Sequence, residues 1–218
     1  MKQVFLRKSN SDTLKLFFCG YGQDINPFVP LCEKGDVALV YEYDEALELD
    51  ESPYKDYKNI ELIAWSIGVM VASYVMPKTS LLKKITKAIA ANGTPCGIAF
   101  EGNLGLPSAL WYQSYENMNE EGQENFTYDM LGKDPQYYLE HPSKRSAQSC
   151  KSELLALYNF KKAQKTEPSF IFDEVYVGLR DKIFPASLVR KAFLNTNTKI
   201  IKGSFAHFDK DLFLSLLN

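Results

Sequence analysis

A strand-like run meets a helix-like run at a single serine, with no loop between them. Residues 59–65 are mostly apolar and β-prone, and the apolar helical run 67–74 begins directly after Ser66. Ala64 and Gly68, two positions to either side, are small, as a sharp turn that brings two backbones together requires. The spacing predicts a nucleophile elbow, a strained strand-to-helix turn that exposes the serine. The alternative is an ordinary buried strand–helix junction in which Ser66 caps the helix.

Similar strand-like runs recur along the chain, with helix-like runs between most of them. The runs span residues 14–19, 37–43, 60–65, 87–92, 169–178 and 199–202. Near-continuous apolar strands of this kind are typical of a parallel sheet covered by helices on both faces. The opening run, residues 3–7, is expected to pair with residues 14–19 as a hairpin, through a turn at residues 9–12. The pattern therefore predicts an α/β fold.

Length and composition limit the classes of function that the chain can have. Its 218 residues suggest one domain with room for an insertion. The formal net charge of −2 gives no global field that would attract nucleic acid or an anionic membrane. No apolar run reaches the roughly 18 residues that span a bilayer, and the first residues lack the apolar region of a signal peptide. We therefore expect a cytoplasmic protein whose four scattered cysteines are buried thiols.

The segment 108–165 differs from the rest of the chain, because it is polar and contains no strand-like run. We interpret it as a mostly helical lid inserted into a core formed by residues 1–107 and 166–218. Its charge is uneven: residues 116–129 are acidic without any lysine or arginine, whereas residues 130–165 are mainly basic. On charge alone, a pair of solvated helix faces is the favoured explanation of this asymmetry.

A nucleophilic serine needs a base to remove its proton and an acid to orient that base. In hydrolases with an elbow, the chain order is serine, then the acid, then histidine. The chain has two histidines. His207 follows the last strand-like run, at the edge of the sheet where catalytic side chains lie in open α/β folds. His141 lies inside the lid segment and is expected to be a surface loop residue. His207 is therefore the candidate base for Ser66.

The candidate acid is Asp181, which directly follows the strand-like run 169–178. One helix and one strand separate it from His207, so both residues should reach the same edge of the sheet. Asp173 is a rival, but it lies near the start of its strand, at the opposite edge. Taken alone, Asp181 could equally be a carboxylate that satisfies free N–H groups at the start of a helix.

An acyl-transfer site also needs hydrogen-bond donors for the developing oxyanion. One candidate is the backbone N–H of Ile67, directly after the elbow serine. The other is the backbone N–H of Tyr21, because Gly20 and Gly22 on either side allow a tight turn and a close approach to a ligand. The alternative is a plain glycine turn. Residues 92–95 follow another strand-like run at the same edge and are expected to line the pocket.

Taken together, these motifs resemble the BioG type of pimeloyl-acyl-carrier-protein methyl ester esterase. Their order and spacing match over nearly the whole chain, although Tyr21 stands where this family is expected to have tryptophan. The resemblance implies an α/β-hydrolase core with a helical lid, and an enzyme that removes the methyl ester from a pimeloyl group during biotin synthesis. The matching segments are residues 17–22, 64–68, 90–95, 178–181 and 207–208.

The resemblance also implies roles for particular residues. Ser66, Asp181 and His207 fall on the positions of a catalytic triad, and neither a metal nor an organic cofactor is needed. An acyl-carrier protein is the implied partner, and it is acidic. The first candidates to contact it are the basic lid residues Lys144, Arg145 and Lys151.

Two other functions remain open from the sequence. One is a different serine hydrolase of the same fold, such as a thioesterase or a small-ester carboxylesterase, which would have the same triad but a different pocket and partner surface. The other is a non-catalytic α/β binding protein in which Ser66 is vestigial. The fold alone does not decide among these functions.

Overall fold

Six strands in parallel and one antiparallel edge strand form a seven-stranded sheet in this computed structural model, which describes residues 1–132 and 135–218. The strand order is β1-β3-β2-β4-β5-β8-β9. The prediction of a mainly parallel α/β sheet is confirmed. The strands are β1 Lys2–Arg7, β2 Thr13–Phe18, β3 Asp36–Tyr41, β4 Asn59–Trp65, β5 Ile85–Ala91, the short pair β6 Ile98–Ala99 and β7 Leu106–Pro107, β8 Glu174–Gly178 and β9 Lys199–Gly203.

The predicted hairpin between the first two strands is wrong. β1 pairs antiparallel with β3, which lies between β1 and β2. The reason is that β2 is a central strand, paired in parallel with β3 on one side and with β4 on the other. Both of its edges are therefore occupied, and β1 takes the outer edge of β3. The predicted strand 169–178 is also shorter than expected, because β8 begins at Glu174.

Helices cover the sheet on both faces, and each face has its own apolar core. The helices are α1 Gly68–Val75, α2 Ser108–Glu116, α3 Glu120–Leu131, α4 Gln136–Glu140, α5 Ala147–Ala163, α6 Ala186–Phe193 and α7 Lys210–Leu217. Alternate strand residues point to opposite faces. Leu16 and Phe18 of β2 accordingly belong to the core beneath α1, α5 and α6, whereas Phe17 packs with the α7 residue Phe213 on the other face.

The segment predicted to be a lid contains the four helices α2 to α5 in its described part. Two of its residues, 133 and 134, lie outside the residues that the structure describes. The helices α2 and α5 pack against each other, and Trp111 of α2 donates a hydrogen bond to the carbonyl of Leu154 in α5 at 2.9 Å. In the described ranges no helix is long and apolar enough to cross a bilayer.

A buried carboxylate, Asp36, lies at the start of β3. It is 1% exposed and accepts hydrogen bonds from the backbone and hydroxyl of Ser9, the backbone of Ser11 and the hydroxyl of Tyr57. Burial alone would raise the pKa of Asp36, but these donors outweigh burial and lower it to about 2. The carboxylate therefore connects the loop after β1 to the start of β3 and to Tyr57, which lies just before β4.

We expect the substitution Asp36→Asn to remove a pH-dependent part of the stability. The folded-state pKa of about 2 lies below the ordinary value of 3.8, so the ionised carboxylate stabilises the fold above pH ~4, by about 2 kcal/mol. That contribution is lost as the pH falls from ~4 to ~2. Urea unfolding at several pH values should show a lower and flatter free energy for the variant over this window. The exposed Asp56→Asn serves as the control, and an equal loss in both variants would contradict the prediction.

Candidate active site

Ser66 occupies a strained turn at the end of β4, as the spacing of small residues predicts. Its φ angle is +60°, a region that a non-glycine residue rarely adopts. The turn is crowded: a Cβ atom at Gly68 would lie 2.4 Å from the carbonyl oxygen of Phe18, and one at Gly93 would lie 2.1 Å from that of Ser66. The backbone N–H of Ser66 donates to the carbonyl of Ala91 in β5 at 2.9 Å. Hydrogen bonding and close packing thus hold the serine in an unfavourable conformation.

The structure brings together the three side chains predicted to form a triad. His207 Nε2 lies 2.8 Å from Ser66 Oγ, and His207 Nδ1 lies 2.8 Å from Asp181 Oδ2. The other oxygen of Asp181 accepts the backbone N–H groups of Ile183 and Phe184 at 2.7 and 2.9 Å, which fixes the carboxylate. With the Nδ1 proton donated to Asp181, His207 Nε2 can accept the proton of the serine hydroxyl.

The triad is almost completely enclosed. The exposed fractions are 3% for Ser66, 8% for Asp181 and 1% for His207. Phe184 stacks against the imidazole with its ring plane inclined by 11°, and Trp65 packs on it at a centroid distance of 5.1 Å. Such surroundings exclude water and strengthen the electrostatic interactions between the three groups.

Asn92 holds the histidine loop in place, which sequence reasoning missed. Its side-chain nitrogen donates to the carbonyls of Ala206 and His207 at 2.8 and 3.0 Å, and its oxygen accepts the N–H of Gly178 at 2.8 Å. Trp65 Nε1 also donates to the carbonyl of His207, at 2.9 Å. The expectation that this residue lines a pocket is wrong, because Asn92 is fully buried. The sequence pattern that could have indicated this role is an asparagine directly after a strand and before a glycine, because asparagine tolerates the positive φ of +45° that Asn92 adopts.

Of the two residues predicted to supply oxyanion donors, Ile67 follows the serine in the chain and Tyr21 follows Gly20, which approaches Ser66 closely. In the ranges 1–132 and 135–218, the backbone N–H groups of Tyr21 and Ile67 donate to no acceptor. The glycine loop approaches the elbow closely, because a Cβ at Gly20 would lie 2.8 Å from the ring of Trp65 and 3.1 Å from Ser66 Cβ. Glycine is therefore required at position 20 for the loop to reach the serine.

A buried ion pair joins helix α5 to this loop. Glu153 accepts the N–H groups of Gly22 and Tyr43 at 3.0 and 2.9 Å, and Arg145 pairs with its carboxylate. Burial raises the pKa of Glu153, and the guanidinium of Arg145 opposes that shift. The expectation that Arg145 contacts a partner protein at the surface is wrong. Its side chain is 4% exposed, because the buried carboxylate needs a compensating charge.

The other two basic lid residues are accessible to different degrees. Lys144 is exposed, and its backbone N–H donates to the carboxylate of Asp24 at 2.8 Å. Lys151 is half-buried, with its ammonium 3.3 Å from the carbonyl of Glu116 and above the ring of Tyr115. Lys144 is therefore accessible from solvent, and Lys151 only in part.

The two rejected candidates lie elsewhere. His141 is half-buried after α4, and its ring packs on Tyr137 at a centroid distance of 4.9 Å. Asp173 precedes β8, and its carboxylate accepts the backbone N–H of Ala88 at 2.7 Å. Neither side chain belongs to the cluster around Ser66.

Two cavities beside helices α2 and α3 share Tyr21 as a lining residue. The first has a volume of about 570 Å³ and includes Gln123, Tyr138 and Lys144 in its lining. The second has a volume of about 410 Å³ and extends to Ile183, next to the Asp181 carboxylate. The apolar side chains of the second cavity are Tyr21, Leu106, Leu110, Trp111, Met118, Phe126, Leu154 and Ile183.

Comparison with solved structures supports this architecture. The chain is similar over its full length to BioG from Haemophilus influenzae, with a TM-score of 0.86, 25% identity and complete coverage of both chains. An esterase from Exiguobacterium antarcticum shares the fold, with a TM-score of 0.70 and 14% identity over 99% of this chain and 92% of that one. The protein thus has the α/β-hydrolase fold.

The sequence also matches a protein family over nearly its whole length. The family model described as "Pimeloyl-ACP methyl esterase BioG" matches residues 1–213, so the chain belongs to the BioG family. It is also 30% identical over 203 residues to an uncharacterized protein of Haemophilus influenzae, with 90% of both chains covered. A Bacteroides fragilis protein named malonyl-[acyl-carrier protein] O-methyltransferase is 32% identical over 201 residues, which cover 90% of this chain and 40% of that relative. The chain thus spans about two fifths of the length of that relative.

We expect the substitution Asn92→Ala to destabilise the fold by about 3 kcal/mol, because it leaves the N–H of Gly178 and the carbonyl of Ala206 without a partner and leaves the carbonyl of His207 with Trp65 Nε1 alone. Urea unfolding measures this change. The control is Asn59→Ala, at the opposite end of the neighbouring strand, where an exposed amide lies 3.4 Å from the hydroxyl of Thr13. We expect less than about 0.5 kcal/mol for the control. Similar effects in the two variants would show that Asn92 does not hold the three loops together.

Proposed function

We propose that this protein hydrolyses the methyl ester of a pimeloyl group carried by an acyl-carrier protein, in the biosynthesis of biotin. The proposal rests on one observation above all: a continuous hydrogen-bonded chain from Asp181 through His207 to Ser66 at a strained elbow. Membership of the BioG family supports the choice of substrate. A strained, enclosed serine bonded to an oriented histidine has no evident purpose in a protein that only binds a ligand.

In the first half of the proposed reaction, Ser66 Oγ attacks the ester carbonyl carbon while His207 Nε2 takes the hydroxyl proton. The carbonyl electrons move onto the oxygen, which accepts hydrogen bonds from the N–H groups of Ile67 and Tyr21. The bond between carbon and the methoxy oxygen then breaks, and methanol leaves with the proton from His207. Asp181 keeps the Nδ1 proton in place and stabilises the imidazolium.

In the second half, water attacks the acyl-enzyme carbonyl and gives a proton to His207 Nε2. The oxyanion forms again against the same two N–H groups. When the bond to Ser66 Oγ breaks, the serine oxygen recovers the proton from His207, and the carboxylic acid product ionises on release. All steps use side chains and backbone groups of the chain itself together with one water molecule.

The second cavity is the proposed slot for the acyl chain. Its lining is largely apolar, and it reaches the Asp181 loop at Ile183. Leu110 and Trp111 of α2 enclose it from the side of the segment 108–165. A long methylene chain gains free energy from leaving water in such a slot, at about 0.8 kcal/mol per buried methylene. The shape of the site therefore suits a long acyl chain better than an acetyl ester.

We expect the substitution Ser66→Ala to reduce hydrolysis of the pimeloyl-carrier methyl ester at least ~10⁴-fold, because no other group can form the acyl-enzyme. Mass spectrometry of the carrier measures conversion of the methyl ester to the free acid. Ser73→Ala is the matched control, because this buried serine of the following helix bonds only the carbonyl of Val69. Labelling by a fluorophosphonate should likewise disappear only in Ser66→Ala.

The outcomes separate the proposed esterase from its alternatives. An unchanged carrier mass with labelled wild-type protein would exclude the specific substrate and favour another serine hydrolase, such as a thioesterase. Absence of labelling in folded wild-type protein would exclude catalysis by Ser66 altogether. It would favour a binding protein instead.

The carrier protein is proposed to dock on the basic part of the lid through Lys144 and Lys151. We expect the double substitution Lys144→Glu and Lys151→Glu to raise the KM for the carrier-bound ester about 3- to 10-fold and to weaken its salt dependence, because rim charges steer an acidic partner. Lys78→Glu, just beyond the C-terminal end of α1, changes the net charge by two units outside the segment 108–165 and is the control. Equal effects on carrier-bound and free methyl esters would contradict docking at these lysines.

A further inference from the structure

The hydroxyl of Tyr21 is a buried polar group without a partner. In the described part of the chain it is the only enclosed side-chain nitrogen or oxygen that forms no hydrogen bond. The residue is 6% exposed, and its ring is held edge-on by Phe126 and Trp111 at centroid distances of 5.2 and 6.2 Å. The Cys150 thiol is the nearest polar group and affects the pKa of Tyr21, but it does not reach the distance and angle of a hydrogen bond to the hydroxyl, and sulfur is in any case a weak partner that an oxygen acceptor would replace. Leaving such a group unpaired costs free energy that a phenylalanine would avoid.

The hydroxyl is suited to donate a hydrogen bond to a ligand. Burial raises the pKa of Tyr21 far above its ordinary value, so the hydroxyl keeps its proton. The side chain forms part of the wall of both cavities beside helices α2 and α3. The two aromatic neighbours fix the ring in the wall that the two cavities share, so a ligand in either cavity needs only a local displacement of the groups around the hydroxyl to reach it.

The backbone N–H of the same residue is one of the two proposed oxyanion donors. One tyrosine thus offers a donor at the reacting carbonyl and a second donor at the end of its side chain. Standard bond lengths put these two donors about 7 Å apart. An extended seven-carbon diacyl chain separates its two carbonyl carbons by a similar distance, again about 7 Å.

We propose that the Tyr21 hydroxyl donates a hydrogen bond to the distal carbonyl oxygen of the acyl chain, the thioester carbonyl that links it to the carrier. This inference rests on the proposed function and deepens it. Tyr21 then selects substrates with a second carbonyl at the correct distance from the methyl ester. A simple fatty acyl methyl ester has no acceptor at that position and leaves the hydroxyl unpaired, which a site built for a polar contact rejects strongly.

The test compares two methyl esters with the wild type and Tyr21→Phe. The pantetheine thioester of monomethyl pimelate carries the distal carbonyl, and methyl heptanoate has the same chain length without it. The ratio of kcat/KM for the thioester to that for methyl heptanoate should fall about tenfold in the variant. The change should lie mainly in KM, because the contact is made by substrate and transition state alike. An unchanged ratio would overturn the proposal.

Tyr138→Phe is the matched control. This buried tyrosine lines the first cavity, but its hydroxyl already donates to the side-chain oxygen of Gln23 at 2.9 Å. We expect its loss to lower the melting temperature without altering the substrate ratio. Tyr21→Phe should leave the melting temperature of the free protein equal or higher, since it removes an unpaired group. A tenfold fall in the ratio for Tyr138→Phe would overturn the specific role of Tyr21.

A binding measurement keeps this test independent of turnover. In the Ser66→Ala background, calorimetry with the pantetheine thioester should give a Kd about tenfold weaker when Tyr21→Phe is added. If wild-type protein hydrolyses neither ester, the proposed function fails, yet this comparison still decides whether the hydroxyl binds the distal carbonyl. Equal Kd values would overturn the proposal even if hydrolysis is observed.

Discussion

A single buried amide fixes the geometry on which the candidate site depends. Parallel strands bring Ser66, Asp181 and His207 to one edge of the sheet, since each residue follows the carboxyl end of a strand. Strand order alone places them only approximately. Asn92 provides the finer adjustment, because its three hydrogen bonds connect the end of β5 to Gly178 and to the histidine loop. Since each bond satisfies a buried backbone group, the network stabilises the fold and orients His207 together.

Sequence reasoning succeeded where local pattern and chain order carry the information. The parallel sheet follows from continuous apolar runs, and the turn at Ser66 follows from the small residues around it. The positions of Asp181 and His207 follow from a rule about which end of a strand faces a site. Assigning catalytic and oxyanion roles to these residues remains a prediction, to be tested by Ser66→Ala.

Sequence reasoning failed where strand pairing or side-chain contacts depend on residues that are distant in the sequence. The prediction that β1 pairs with β2 was wrong. The sequence near β1 does not show that β3 and β4 occupy both edges of β2. The prediction that Arg145 contacts a partner was wrong, because a run of basic residues does not reveal that one of them must neutralise the buried Glu153. The role of Asn92 likewise depends on carbonyl groups more than a hundred positions further along the chain.

The link between Glu153 and Gly22 means that the helical segment is not a removable accessory. The Glu153 carboxylate accepts the backbone N–H groups of Gly22 and Tyr43, which follow strands of the sheet. Deleting or exchanging the segment would leave both N–H groups without an acceptor and would remove a contact that holds the loop containing Tyr21 in place. Exchanging this segment between related enzymes would therefore require exchanging the glycine loop as well, because a carboxylate of the one binds the backbone of the other.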